Sequence, residues 1–167
     1  MKLSKDGAAY LGKVEGVRLR LYDDHNGDTW MGQSIDEAVG YWTIGIGHLV
    51  GDDEFEGYKA GITMAEAIEL FQDDVEPFED CVLKYVKVPL TQPQFDALVV
   101  FSFNVGVNAF RKSTLVRLLN RSLYDAVPEQ LLRWTTSKGK VLEGLKIRRL
   151  KTIDVWNAGD YDAILGN

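Results

Sequence analysis

The sequence predicts a mostly helical α+β fold, and three observations carry that prediction. Alternating hydrophobicity is confined to residues 18–46, helix-capping patterns recur from residue 63 onward, and no repeat, linker or low-complexity tract divides the chain. The 167 residues suit a single domain. Its lobes are expected at residues 15–62 and 85–167, the first helix joining the latter, with a helix near 63–85 as the bridge. With 46% hydrophobic and 26% charged residues, the composition is that of a globular protein and excludes disorder.

The elements follow in order. Ser4 caps a first helix with an apolar stripe of Tyr10, Leu11 and Val14, ending near Glu15 and Gly16. Arg18 to Tyr22 alternates as a strand, with Leu19 and Leu21 expected on one side. The run Asp23-Asp24-His25-Asn26-Gly27-Asp28 is turn chemistry. Tyr41 to Ile46 returns as a second β-segment, where Gly45 and Gly47 are expected to let the backbone approach something closely. Residues 29–40 exceed what a tight hairpin needs and read as an excursion, holding a third strand or a helical turn.

Helices take over afterwards. Thr63 and Glu66 form a capping box at the head of a long helix, which Pro77 is expected to kink or restart. Thr91 and Gln94 form another, with Pro93 in the first turn. The helix through Phe95, Leu98, Val99, Phe101 and Phe103 is apolar nearly all round, which predicts the buried centre of a helical lobe. Ser113 to Asn120, Pro128 to Trp134 and Leu142 to Ala158 read as further helices, the last closed by Gly159.

Composition also narrows function. The net charge of −6 argues against nucleic acid as a partner, but the charge is uneven. Residues 107–151 carry 11 Lys and Arg against 3 acids, while residues 50–80 carry 11 acids against Lys59. The lone Cys81 excludes a disulfide framework, fits a reducing compartment and reads as a small buried hydrophobe. No apolar run approaches the ~20 residues of a membrane span, and residues 1–7 lack the apolar core of a secretory signal. Asp24-x-Asn26-x-Asp28 opens like a calcium loop, but Thr29 stands where its glycine belongs and Ile35 where its closing Glu belongs. Two histidines are too few for a zinc site, so no metal is expected. With no Walker or dinucleotide fingerprint, neither is a cofactor.

Two carboxylates stand at informative places. Glu15 sits where the first helix gives way to a strand, and Asp24 at the turn that ends that strand. A pair of acids facing a glycosidic bond can hydrolyse it, one protonating the leaving oxygen while the other activates water or attacks. Val14 and Val17 beside Glu15 provide the apolar neighbourhood that disfavours ionisation. Among 25 acids, this reasoning alone does not single out two.

The wider pattern does. Glu15-Gly16-Val17-Arg18-Leu19-Arg20-Leu21-Tyr22-Asp23-Asp24, followed by Tyr41-Trp42-Thr43-Ile44-Gly45-Ile46-Gly47-His48-Leu49, resembles the catalytic signature of the phage-type lysozymes, glycoside hydrolase family 24. Eight residues separate Glu15 from Asp24, the family spacing, which selects Asp24 over Asp23. Two further blocks are similar and in family order: Leu90 to Leu98 with Phe101-Ser102-Phe103-Asn104-Val105-Gly106 and Phe110 to Leu115, then Arg133-Trp134 with Gly144-Leu145 and Arg148-Arg149.

The resemblance implies a lysozyme-like two-lobe fold and an endolysin, a muramidase cutting the β-1,4 bond between N-acetylmuramic acid and N-acetylglucosamine in peptidoglycan. It implies Glu15 as general acid, Asp24 as water-activating carboxylate and Thr43 as water-positioning residue, with inversion at the anomeric carbon. Inversion requires carboxyl groups about 6.5–9.5 Å apart. Leu49, Phe103, Asn104 and Thr114 fall where the family lines its saccharide groove, and His48 is expected to be structural, paired with an acid from the other lobe. The implied partner is the peptidoglycan glycan strand, met by a monomer that is made in a host cytoplasm without stable membrane association and reaches the wall once a holin opens the membrane.

Two departures from the family are visible. Eighteen residues separate Asp24 from Thr43, where shorter members have a few, and they place Trp30, Met31 and Gly32 beside the expected cleft mouth. Leu150 stands where the family often has Glu. A wall-binding relative without catalysis and a lytic transglycosylase are the alternatives; the joint presence of Glu15, Asp24 and Thr43 favours the hydrolase.

Overall fold

A computed structural model describes residues 1–137 and 140–161, apart from the Ser137 side chain. The chain divides into two compact units, one of Glu15–Asp74 and one of Met1–Val14 with the residues from Val75 onward. The fold is mostly helical with a small antiparallel sheet, as the sequence predicts.

In the unit Glu15–Asp74, β1 (Arg18–Asp23), β2 (Trp42–Gly45) and β3 (His48–Leu49) form an antiparallel sheet in the order β1-β2-β3. Tyr22 pairs with Thr43, Asp23 with Trp42, and Thr43 in turn with Leu49. The register shifts between Arg18 and Tyr22, so the expected alternation breaks: Leu21 is buried, whereas Leu19 is 37% exposed. Gly45 and Gly47 serve the turn between β2 and β3; Gly45 also lies against Ile62 and Ala67 (3.6–3.7 Å from where a Cβ would stand), whereas no such approach is made at Gly47. The φ angles of the two glycines are +65° and +78°, and a Cβ on Gly47 would meet nothing within 4 Å.

The excursion is tied to β1 and packs on the sheet. Trp30 N–H donates to the Leu21 carbonyl (2.8 Å), Asp23 N–H donates to Asp28 (2.9 Å), and Tyr22 bridges to Thr29, so residues 28–30 run along the free edge of β1. A 3₁₀ turn at Ile35–Glu37 follows, and its Ile35 carbonyl accepts from Trp42 Nε1 (3.0 Å). Leu21, Trp42, Ile44 and Phe55 make the core, with Trp30, Ile35, Val50 and Ile62 against it. Trp30 therefore packs edge-on to Phe55 (centroids 6.3 Å apart) against this core, while Met31 (84%), Val39 and Tyr41 of the same stretch are exposed. Phe55 reaches the cluster from a short helix, α2 (Phe55–Tyr58).

Helix α3 (Met64–Tyr85) opens with the expected reciprocal cap, Glu66 N–H to Thr63 Oγ1 (3.2 Å) and Thr63 N–H to Glu66 Oε2 (2.7 Å). It does not restart at Pro77: one 22-residue helix runs through it. Only the bond to the Asp73 carbonyl is forfeited, which the length of the helix outweighs.

The other unit is built around α4 (Gln92–Val105), whose residues Phe95 to Ser102 are all buried. Each large apolar side chain sequestered there contributes about 1.5–3 kcal/mol. Thr91 caps α4 with Gln94, and Gly106 (φ +85°) ends it. Around it lie α1 (Lys5–Glu15), α5 (Val107–Arg111), α6 (Thr114–Leu119), α7 (Val127–Leu132) and α8 (Glu143–Ala158); α8 packs along α4 and is closed by Gly159 in the left-handed region. A small hairpin, β4 (Thr136–Ser137) with β5 (Lys140–Val141), precedes α8. Cys81 is buried, and burial pushes its thiol above the ordinary value.

Asp96 on α4 gathers both ends of the chain. Fully buried, it accepts from Ser4 N (3.1 Å), Ser4 Oγ, Gln92 Nε2 (2.8 Å) and Tyr161 Oη (2.7 Å). Burial, together with this bond, drives the Tyr161 phenol far above its usual range. Ser4 Oγ also caps α1 by accepting from Gly7 N–H (3.0 Å). A Cβ at Gly7 would lie 2.9 Å from the Asp96 carboxyl, so only glycine allows α1 this approach.

Candidate active site

Glu15 is the last residue of α1, and Gly16, at φ +81°, turns the chain from helix to strand immediately after it. Its side chain is exposed. The two following acids at the end of β1 have different environments. Asp23 is buried, with Oδ1 accepting from His25 N (2.9 Å) and Gly40 N (3.0 Å) and Oδ2 accepting from Val39 N (2.6 Å). Burial alone would push its carboxyl up; the three backbone donors outweigh this and hold it below the ordinary value. Asp23 thus clamps both ends of the excursion. Asp24 is exposed; its Oδ1 accepts from Tyr41 N (2.7 Å), and among the described residues no hydrogen bond engages Oδ2.

This division has a consequence at low pH. A carboxyl held below its unfolded value stabilises the fold above about pH 4 and ceases to do so as pH falls through the folded value. Asp23→Asn places an amide opposite backbone donors and removes that titration. Its acid-unfolding profile is expected to be flatter below about pH 4 than that of the unsubstituted chain; parallel profiles would show that Asp23 is no clamp.

Thr43 is buried in β2, and its Oγ1 donates to the Tyr41 carbonyl (3.2 Å). Cross-strand partners share a face, so Tyr22, Thr43 and Leu49 line one side of the sheet. Asp24 lies in the turn two residues beyond Tyr22 and is bonded to the Tyr41 backbone through both its N–H and its carboxylate. Leu49 is 57% exposed on the shared face. Burial raises the Tyr22 phenol above its ordinary value; the Arg18 guanidinium opposes the rise, and the charges of Asp24 and Glu15 add to it. Both carboxylates therefore act on one side chain that stands opposite Thr43. Sequence reasoning passed over Tyr22 because its place depends on strand register.

His48 is structural, but the expected partner is corrected. Its Nδ1 faces both Asp74 oxygens at 3.0 Å and its Nε2 faces Glu54 Oε2 at 3.4 Å, both acids belonging to its own unit. Asp74 is presented to the imidazole from the middle of α3, within the same unit.

The remaining candidates lie in the α4 unit. Phe103 packs against Phe78 (centroids 4.9 Å apart), and the Thr114 hydroxyl accepts from Arg117 Nη2 (3.3 Å). Asn104 Oδ1 accepts from Nη2 of Arg149, a residue that the family blocks contained without a role. Arg149 is 1% exposed; its Nε donates to the Trp134 carbonyl (3.1 Å), and its guanidinium lies 5.1 Å from the Phe101 ring centre. Burial, followed by the neighbouring Arg148 charge, lowers its pKa to about 10, so it remains a cation at neutral pH. The arrangement fixes the Asn104 amide with its oxygen inward and its NH₂ free to donate.

Comparison with known proteins gives the family described as Phage lysozyme over residues 12–152. The endolysin of Bacillus phage PZA is 35% identical over 159 residues, covering 95% of this chain but only 56% of the relative, so the chain spans little more than half of that protein's length. The endolysin of Salmonella phage P22 is 35% identical over 136 residues, covering 80% of this chain and 84% of the relative. Among solved structures, an endolysin from Escherichia coli O157:H7 phage FAHEc1 superposes with a TM-score of 0.78 at 32% identity, covering 97% of each chain.

Proposed function

Because the chain belongs to the phage lysozyme family, we propose that it is an endolysin hydrolysing the β-1,4 bond between N-acetylmuramic acid and N-acetylglucosamine in peptidoglycan. The observation that carries the reading is that Asp24, tied to Tyr41, stands two residues from Tyr22, which is the cross-strand partner of Thr43 and the side chain on which the charges of both Asp24 and Glu15 act.

Glu15, protonated, gives its proton to the glycosidic oxygen as the bond to the anomeric carbon breaks. Asp24 Oδ2 takes a proton from the attacking water, whose oxygen forms the new bond to that carbon from the opposite face. The Thr43 hydroxyl has spent its only hydrogen on the Tyr41 carbonyl, so toward water it can only accept. A water whose two hydrogens are held by Asp24 and Thr43 directs a lone pair outward, at the carbon to be attacked. Leu49 in the sheet unit, and Phe103, Asn104 and Thr114 in the α4 unit, are the proposed saccharide-binding residues, apolar groups suiting ring faces and the Asn104 NH₂ a hydroxyl edge. No metal or cofactor takes part. Proton NMR of the earliest products tests the assignment of Asp24: an α-anomer is expected first, and a first-formed β-anomer would contradict it.

The chain works as a monomer on the anionic wall, made in the host cytoplasm and admitted to the wall after a holin acts. Among the described residues no helix is long and apolar enough to cross a membrane. Arg111, Lys112 and Arg117 are exposed in the basic stretch of the chain and, among the described residues, form no ion pair. Reversing these three charges is expected to weaken sedimentation with purified wall and flatten its salt dependence. Binding that keeps its original salt slope would assign wall attraction to other groups.

A further inference from the structure

We propose that Tyr22 is a substrate-contacting residue, its phenol O–H donating a hydrogen bond to a saccharide oxygen held over Asp24 and Thr43, with Arg18 fixing the ring for that purpose. The inference rests on the glycan-hydrolysing reading and adds a contact that neither the spacing of the acids nor the family resemblance supplied. Three independent features converge on it.

The first is placement. Tyr22 pairs directly with Thr43, and residues opposite one another in an antiparallel pair present their side chains to the same face about 5 Å apart. Thr43 pairs onward with Leu49, so Tyr22 lies in one row with two candidate site residues and two residues from Asp24.

The second is restraint. The Arg18 guanidinium carbon lies 4.4 Å from the Tyr22 ring centre, and Arg18 is itself anchored by Nη1 donating to the Gly27 carbonyl (2.8 Å). A cation stacked on one ring face and tied to the backbone of the excursion holds the phenol in one orientation. Pre-set groups lose less freedom when a ligand arrives.

The third is an unfilled valence. Among the described residues no hydrogen bond to Tyr22 Oη is present, although half-buried tyrosines ordinarily direct the hydroxyl to a partner. Burial, aided by the charges of Asp24 and Glu15 and opposed by Arg18, raises the phenol above its ordinary value, so the group remains an O–H donor near neutral pH. A neutral O–H donor at this place suits a neutral acceptor oxygen, such as a sugar hydroxyl or an N-acetyl carbonyl.

The test is Tyr22→Phe, which deletes only the hydroxyl, assayed on soluble oligosaccharides of alternating N-acetylglucosamine and N-acetylmuramic acid. The melting temperature is expected to stay unchanged, and kcat/KM to fall about tenfold, the effect of losing one hydrogen bond. The fall should lie chiefly in KM, because the contact is made to bound saccharide before and during reaction. Arg18→Met, which keeps the stem and removes the cation, is expected to raise KM less, and to add nothing once Tyr22→Phe is present. Full kcat/KM in Tyr22→Phe, or an Arg18→Met effect that persists undiminished in the double variant, would overturn the inference. Glu15→Gln run alongside separates the two readings: its inactivity with an intact Tyr22→Phe refutes the Tyr22 contact alone, and its full activity refutes the hydrolytic assignment.

Discussion

Glu15→Gln is expected to lower peptidoglycan turnover by about 10²- to 10⁴-fold while the chain still folds and still sediments with the wall. The amide has the size and shape of the acid but no proton to give to the leaving oxygen. Its position makes the experiment clean, since Glu15 is an exposed residue at the very end of α1 rather than part of either core. Asp24→Asn is a companion: Oδ1 can still accept from Tyr41 N–H, so the local fold is kept, while the base is lost and turnover again falls by a large factor. Asp23→Asn should behave differently. Its primary effect is on the clamp that holds residues 25–41, so its activity loss should follow the loss of folded protein. Turnover by Glu15→Gln at the unsubstituted rate would remove the general acid from the proposed reaction.

Asp96→Ala is expected to produce the largest loss of stability in the chain, at least about 3 kcal/mol, since stranding a buried donor costs roughly 1–3 kcal/mol. The substitution strands Ser4 N, Ser4 Oγ and Tyr161 Oη together, and so releases the first turn of α1 and the segment after α8 from α4. For a chain of this length that corresponds to a melting temperature lower by roughly 6–12 °C. Asp96→Asn keeps one acceptor oxygen but sets an NH₂ against other donors, and should recover only part of the loss. Gly7→Ala should destabilise through the same place, because its methyl group would press on the Asp96 carboxyl. Thermal melts of the three variants check this ordering; an Asp96→Ala variant melting with the unsubstituted chain would show that the buried carboxylate does not join the ends.

Local chemistry was the most legible part of the sequence. Ser4, Thr63 with Glu66, Thr91 with Gln94, Ser113 and Gly159 each end a helix where the sequence places the end, because a cap is settled by a side chain within three residues of the backbone group it satisfies. Short elements escaped: β3, α2, α5 and the β4–β5 hairpin are two to five residues long, too brief for a periodic pattern, and are fixed by what they pack or pair with. The shift of register in β1 defeated simple alternation at Leu19. Trp30, which the sequence places in the insertion beside the expected cleft mouth, packs its ring against the core of the sheet unit.

The candidate site divides along the same line. Glu15, Asp24 and Thr43 came from the resemblance and its spacing, whereas Asp23, Tyr22 and Arg149 required three-dimensional information. Family spacing selects Asp24 over the adjacent Asp23 without a physical reason; the three backbone donors on Asp23 and the single one on Asp24 supply it. Tyr22 takes its place from pairing with Thr43 across an excursion of 18 residues. Arg149 reads in sequence as one more surface cation, and its role appears only once α8 is packed on α4 with Asn104 beside it.

Mass analysis of the soluble fragments released from purified peptidoglycan by the full chain tests the central claim most directly. Fragments ending in reducing N-acetylmuramic acid, each carrying the added water, are expected, with none released by Glu15→Gln. Fragments ending in anhydromuramic acid, or in reducing N-acetylglucosamine, would contradict it.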